Sequence, residues 1–250
     1  MRPIRWVPAT SSKSKPLARS YAPHPYKGGG LIFWVVCKVI ISQRHRFIFA
    51  AIPKTGTHAV RQALREHLAD DDLEQVGLFV NKRFPWQDLA AIQHGHISLR
   101  QVRPHLGEAA FSAYLKFAFV RNPFDRFVSY CAFMMRNGDA FQTQPQAVMR
   151  HFLFFEPPEG HILFQSQASL LLDEDGQTLL TDQVGRVEDM QGSYDAICAQ
   201  IGIASRPLDR VNATQRQDYR RYYDQALIEA VTARYAQDLD LFGYSFEGRT

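Results

Sequence analysis

No aspartate or glutamate occurs before Glu66, whereas twelve lysines and arginines do, so residues 1–65 carry a formal charge of +12. The rest of the chain holds 17 basic and 25 acidic residues, and the modest overall charge of +4 conceals this split. A segment of one sign implies a solvated basic tail, an anionic ligand site near its end, or both. Cysteine is scarce: Cys37, Cys131 and Cys198 stand apart in apolar stretches, with no CxxC pair and no histidine at zinc spacing. That argues against a disulfide framework or a structural zinc site and fits three reduced thiols. Long apolar runs are missing too. A bilayer span needs ~20 apolar residues, and the best candidate, Leu31–Ile41, is eleven long, interrupted by Lys38 and followed by no small-residue cleavage site. There is no internal repeat, no helix-turn-helix pattern and no aromatic-rich single-strand motif, so specific nucleic-acid binding has no basis in the sequence.

What remains is the composition of an ordinary globular chain: 250 residues, 46% apolar and 22% charged, enough for one good-sized domain. Residues 1–30 hold Pro3, Pro8, Pro16, Pro23 and Pro25 and the Gly28–Gly30 run with little periodicity. They are expected to form an extended or disordered basic arm before a single domain over 31–250. Val35–Ser42 and Arg46–Ile52 read as strands, the second a dense apolar run of the kind buried on both faces of a parallel sheet. A helix is expected over His58–Leu68, a short strand at Val76–Val80, and short helices at Leu99–His105 and Glu108–Tyr114. A second buried strand follows at Leu115–Val120, with a helix from Phe124 to Met135 whose start is favoured by Pro123. Further on come a helical region at Gln146–Phe155, a hairpin from Leu170–Leu172 to Thr178–Leu180, and a strand at Val184–Val187. Helices at Met190–Ile201 and Tyr219–Leu239 complete the pattern. Alternating strands and helices argue for an α/β domain with a mostly parallel sheet.

Three motifs carry chemistry. Pro53-Lys54-Thr55-Gly56-Thr57-His58 lies between a buried strand and a helix. A glycine there lets the backbone turn tightly, and the first N–H groups of the helix, aided by its dipole, then face an anion with Lys54 adding a positive charge. The alternative is an ordinary strand–turn–helix with a surface lysine. A Walker A loop would place its lysine after the glycine run, and no convincing magnesium-binding Asp follows an apolar strand. The second motif is Phe119-Val120-Arg121-Asn122-Pro123-Phe124-Asp125-Arg126-Phe127-Val128-Ser129. A strand-end arginine and a helix hydroxyl eight residues on can converge on one anion. Equally, Arg121 can pair with Asp125 while Ser129 merely packs. The third is His94-Gly95-His96, lacking the carboxylate or thiolate partners of a metal site and better suited to general-base work, though most histidines are structural.

Together these motifs resemble the PAPS-dependent sulfotransferases, specifically the carbohydrate branch related to heparan sulfate 2-O-sulfotransferases (PAPS is 3'-phosphoadenosine-5'-phosphosulfate). The similarity continues through Val184-Gly185-Arg186-Val187-Glu188-Asp189, Asn212-Ala213-Thr214, and Asp238-Leu239 with Phe242-Gly243-Tyr244, covering about Val39 to Phe246. The resemblance implies a P-loop-NTPase-like three-layer sandwich with a central sheet flanked by helices. It implies that Lys54, Thr55, Gly56, Thr57 and His58 form the 5'-phosphosulfate loop and that Arg121 and Ser129 hold the 3'-phosphate. It makes His96 the catalytic base, with Lys54 and His94 assisting, and needs no metal. His58-Ala59 stands where the family usually has a Thr-Ser or Ser-Thr pair. A 3'-side loop is expected around Asn212–Arg216. The implied acceptor is a carbohydrate or other hydroxyl, and the basic surface around residues 44–65 would suit an acidic glycan. Animal members of this branch carry an N-terminal membrane anchor; no segment here is long enough, and the expectation is a cytoplasmic, bacterial-type enzyme. A P-loop-like small-molecule kinase and a non-catalytic nucleotide- or polyanion-binding module are the competing readings.

Overall fold

The computed structural model describes residues 37–76, 85–92, 96–209 and 217–249. The expected basic arm over 1–30, the start of the strand expected at Val35–Ser42, most of the strand expected at Val76–Val80, His94, and Asn212-Ala213-Thr214 with the loop around Asn212–Arg216 lie outside them. The elements, in chain order, are β1 (Cys37–Ser42), β2 (Phe47–Ala50), α1 (Thr57–Arg65), β3 (Leu73–Val76), α2 (Gln87–Ala90), α3 (Leu99–Leu106), α4 (Glu108–Ala113) and β4 (Leu115–Val120). These are followed by α5 (Pro123–Met134), α6 (Ala140–Thr143), α7 (Pro145–Arg150), β5 (Gln183–Arg186), α8 (Met190–Ile201), α9 (Gln225–Arg234), α10 (Ala236–Phe242) and the small pair β6 (Tyr244–Ser245) and β7 (Gly248–Arg249).

Five strands form one sheet in the order β3-β1-β2-β4-β5. β2, β4 and β5 pair in parallel, with Ala50 opposite Ala118 and Val120 opposite Arg186. β1 runs antiparallel to both β2 and β3. The sheet is therefore mixed: its parallel part is β2-β4-β5, and the turn joining β1 to β2 makes the antiparallel step. The run Phe47–Ile52 is apolar at every position because both faces are covered. Phe47, Phe49 and Ala51 join Phe117 and Phe119 beneath α1 and α8, contributed by Val60, Leu64, Tyr194 and Ile197. Ile48, Ala50 and Ile52 join Ala118 and Val120 on the opposite face, under α3, α5, α9 and α10. A period of two along each strand thus sorts alternate side chains into two cores with helices on both sides.

Parallel pairing has a consequence for the site. The carboxyl ends of β2, β4 and β5 share one edge of the sheet, so the segments after Ala50, Val120 and Arg186 emerge side by side. From β2 the chain passes to β3 at one edge and returns to β4 on the other side, so the β2/β4 junction is where the strand order reverses. Open α/β sheets bind ligands at such a junction.

Three expectations differ from what is observed. The helix expected over Tyr219–Leu239 is a 3-10 turn at Tyr219–Tyr222 followed by α9 and α10. Asp224 interrupts it by capping α9, its carboxylate accepting the Leu227 N–H at 3.1 Å. The Tyr219 hydroxyl donates to Phe246 O and the Tyr223 hydroxyl to Phe124 O, directions that one straight helix would not serve. The hairpin at Leu170–Leu180 is reduced to a single bridge between Leu172 and Leu179, preceded by a 3-10 turn at Ala168–Leu170. The helical region near Gln146–Phe155 ends in a π-turn at His151–Phe155, which leaves Phe154 and Phe155 exposed. Among the described residues no helix is long and apolar enough to cross a membrane.

Candidate functional site: an anion cradle at the β2/β4 junction

The loop after β2 is held in a conformation that most residues avoid. Lys54 and Gly56 both take left-handed backbone angles, each with φ of 68°. For a lysine that costs ~1 kcal/mol or more, the kind of local strain that persists where surrounding structure over-determines it. At Gly56 the positive φ disfavours any side chain, and an added Cβ would also lie 2.4 Å from Met190 Cε, which would have to move aside. Gly56 is the residue before α1, and no side chain caps that helix. The first turn of α1 carries no acidic residue either. Its leading N–H groups and the positive end of its dipole therefore point toward the loop without a protein anion to meet them, the arrangement that binds phosphate or sulfate. Thr55 is fully buried and its hydroxyl donates back to Ile52 O at 2.9 Å, so what it turns toward the loop is backbone. Lys54 Nζ lies 4.2 Å over the ring centre of Phe133 in α5, an orientation that ties the lysine to the helix of the second motif.

His58, in the first turn, departs from the hydroxyl pair of the resembled family. Its Nδ1 receives a hydrogen bond from Arg61 Nη2 at 3.3 Å. A guanidinium has no acceptor, so Nδ1 is bare and the proton of the neutral ring sits on Nε2, giving the loop one further donor. Burial, and then the charges of Arg61 and Arg65, hold the His58 pKa below its ordinary value. Both arginines bind Glu74 of β3, at 3.1 and 2.8 Å, which anchors α1 to the sheet.

Three other segments close on the same loop. Arg121, the first residue after β4, donates through Nη1 to Lys54 O at 3.4 Å, and it pairs through Nε and Nη2 with Asp125. The pairing with Asp125, which the sequence offered as the alternative to anion binding, is thus present, together with a contact to the loop. Asp125 and Ser129 are four residues apart on α5 and share a helix face, so Ser129 lies one turn beyond the group that Arg121 grips. Ser129 is buried. His96 is buried as well, and its Nδ1 lies 2.7 Å from Ala51 O at the end of β2. A carbonyl only accepts, so Nδ1 carries the proton and Nε2 is the basic nitrogen of the neutral ring.

Arg126 stood in the second motif without a role assigned to it, and it is almost fully buried, 2% exposed. Its guanidinium donates to Pro53 O at 3.0 Å, Gln165 O at 2.9 Å and Leu163 O at 3.4 Å. It fixes the start of the loop from beneath. Burial lowers its pKa, and Asp238, itself pushed up by burial, lies near enough to oppose that shift. Glu188 was part of the C-terminal motif: it accepts the Asn122 N–H at 2.7 Å and the Tyr244 hydroxyl at 2.8 Å. Asn122 in turn caps α5 by accepting the Phe124 N–H at 3.0 Å. So the residue pair Asn122-Pro123 starts α5 at a place that Glu188 pins. Among the described residues no group of three or more histidine, cysteine or carboxylate side chains is placed to hold a metal ion.

A sheet with helices on both faces, a tight loop opening onto an uncapped helix at the strand-reversal point, and an arginine at the neighbouring strand end define an α/β protein with an anion cradle. The family model of the sulfotransferase family matches residues 38–146, from β1 through the loop, His96, Arg121 and Ser129 to the start of α7. That match supports a sulfotransferase family and sulfuryl transfer to a hydroxyl acceptor in general. Neither the curated proteins nor the solved structures contain a match to the chain.

Proposed function

We propose that the chain is a PAPS-dependent sulfotransferase with a P-loop-like fold, acting on a carbohydrate hydroxyl, in the manner of the branch related to heparan sulfate 2-O-sulfotransferases. The observation that carries this reading is the meeting of distant motifs on one loop: His96 at Ala51 O, Arg126 at Pro53 O and Arg121 at Lys54 O. The matched family generally uses PAPS, which when bound supplies the sulfuryl group and leaves as adenosine 3',5'-bisphosphate. The left-handed turn at Gly56 and the uncapped, acid-free first turn of α1 fit such an anion, since they leave backbone N–H groups facing the loop.

On this reading the backbone N–H groups of Thr55–His58 hold the 5' end, with His58 Nε2–H as an additional donor. Lys54 offsets negative charge that grows on the leaving oxygen, and a positioned cation in a partly dry site is well suited to that. Arg121 and Ser129 hold the 3'-phosphate, which distinguishes the ligand from ATP. His96 takes the acceptor's proton at Nε2, and the Ala51 carbonyl on Nδ1–H steadies the imidazolium that forms. The protein's task is alignment and charge stabilisation, as in phosphoryl transfer. The basic segment leading into the loop suits an acidic glycan as acceptor.

A thermal-shift titration tests the reading, comparing adenosine 3',5'-bisphosphate in metal-free buffer with ATP plus magnesium. A ligand that binds only the folded state raises the melting temperature as its concentration passes Kd. Stabilisation by the bisphosphate, abolished in Arg121→Ala, is expected. Stabilisation by ATP–magnesium alone would overturn the reading in favour of a kinase.

A further inference from the structure

We propose that Gln167 is a positioning residue for the 3'-phosphate, its side-chain amide setting the backbone of Arg121 and so the aim of the guanidinium. The inference rests on the assignment of Arg121 to the 3'-phosphate made above. Gln167 is fully buried, and both ends of its amide are used on one residue. Oε1 accepts the Arg121 N–H at 2.9 Å, and Nε2 donates to Arg121 O at 2.9 Å. The β4–β5 ladder stops at Val120 opposite Arg186, and the β2–β4 ladder at Ala50 opposite Ala118. Arg121 therefore stands just past the sheet, where its own peptide groups have no strand to pair with. A carboxamide has the donor and acceptor of a peptide group and takes the missing strand's place.

Gln167 is itself clamped. Asp238, fully buried on α10, accepts the Gln167 N–H at 2.9 Å and the Ala168 N–H at 2.8 Å, with Gln167 Nε2 at 3.4 Å from the same carboxylate. The relay from Asp238 through Gln167 to Arg121 joins residues 71 and 46 positions apart. Neither Gln167 nor Asp238 hydrogen-bonds to the loop after β2; the relay reaches it only through its far end, where Arg121 Nη1 lies 3.4 Å from Lys54 O, while Arg126 holds Pro53 O from beneath. With one long contact to the loop against two short ones to the Arg121 backbone, the relay should act mainly on the 3' end of the ligand. A bidentate guanidinium contact is sensitive to displacements well under 1 Å, so freeing the Arg121 backbone weakens it without removing any group that touches the ligand.

The test compares two ligands on the full chain by titration calorimetry: adenosine 3',5'-bisphosphate and adenosine 5'-monophosphate, which lacks the 3'-phosphate. In Gln167→Met, which is close in size and loses both hydrogen bonds, bisphosphate affinity is expected to fall about tenfold and monophosphate affinity by clearly less. Gln167→Glu keeps the length and the acceptor but cannot donate to Arg121 O, and is read in the same way if the methionine variant does not fold. An unchanged preference for the bisphosphate, or equal weakening of both ligands, would overturn the inference. A wild-type chain that binds the two ligands equally would instead remove the 3'-phosphate assignment on which it stands.

Discussion

Replacing Arg126 with lysine separates charge from reach. The guanidinium spans three carbonyls contributed by two loops, with Pro53 O, Gln165 O and Leu163 O at 3.0, 2.9 and 3.4 Å. A lysine ammonium keeps the positive charge near Asp238 and has three donors, but they radiate from one atom and cannot span carbonyls placed around a planar guanidinium. Two buried acceptors are then left short, at about 1–3 kcal/mol each, and relaxation brings the sum to about 2–4 kcal/mol. For a chain of this size about 1 kcal/mol moves the melting temperature by about 2–4 °C, so Arg126→Lys should melt about 6–12 °C lower. Arg126→Met also strands the buried Asp238 charge and should be worse than the lysine variant, by the margin that separates an unpaired buried ion from a poorly bonded one. Urea unfolding of the three proteins gives the ordering directly where their slopes m agree. A lysine variant within about 2 °C of wild type would refute the claim that Arg126 works by spanning carbonyls. A methionine variant no worse than lysine would refute the role of its charge.

Other consequences are as direct. A Cβ at Gly185 would sit 2.6 Å from the Phe119 ring, which is fully buried, so Gly185→Ala should cost about 1–3 kcal/mol by overpacking, read as a lower urea midpoint. Because burial and two arginines hold the His58 pKa below its ordinary value, the unfolded chain takes up a proton there before the folded one does. His58 therefore lowers stability as pH falls through and below 6.5, and His58→Gln should flatten that part of the urea-midpoint curve; an unchanged slope would contradict the assignment. The same site should bind bisphosphate more tightly at pH 6 than at pH 7.5 in wild type and lose that difference in His58→Gln. With a glycan acceptor in hand, His96→Ala should abolish turnover while leaving bisphosphate binding intact; full turnover in His96→Ala and none in His94→Ala would transfer the base to His94.

Local chemistry alone determined a good deal of this protein. The apolar run Phe47–Ile52 could only be a strand covered on both faces, and it is. Leu115–Val120 and Met190–Ile201 fall where their patterns put them, and Pro123 after Asn122 begins α5 because the proline has no N–H to lose and the asparagine caps. The glycine and lysine of the loop after β2 were legible for the same reason: a turn from strand to helix needs such residues wherever it occurs. What was not legible depends on partners far along the chain. Tyr219–Leu239 has a helical composition, yet Asp224 and the tyrosine hydroxyls find acceptors elsewhere and break it. Arg126 looks no different from Arg121 in sequence; its burial depends on carbonyls 73, 39 and 37 residues away. Gln167 sits in a stretch with no motif, and only the end of a strand ladder next to a buried aspartate gives its amide a task. Periodicity and turn chemistry act over a few residues and can be read from a line of text. Hydrogen bonds that join loops to strand ends exist only once the sheet has brought those ends together.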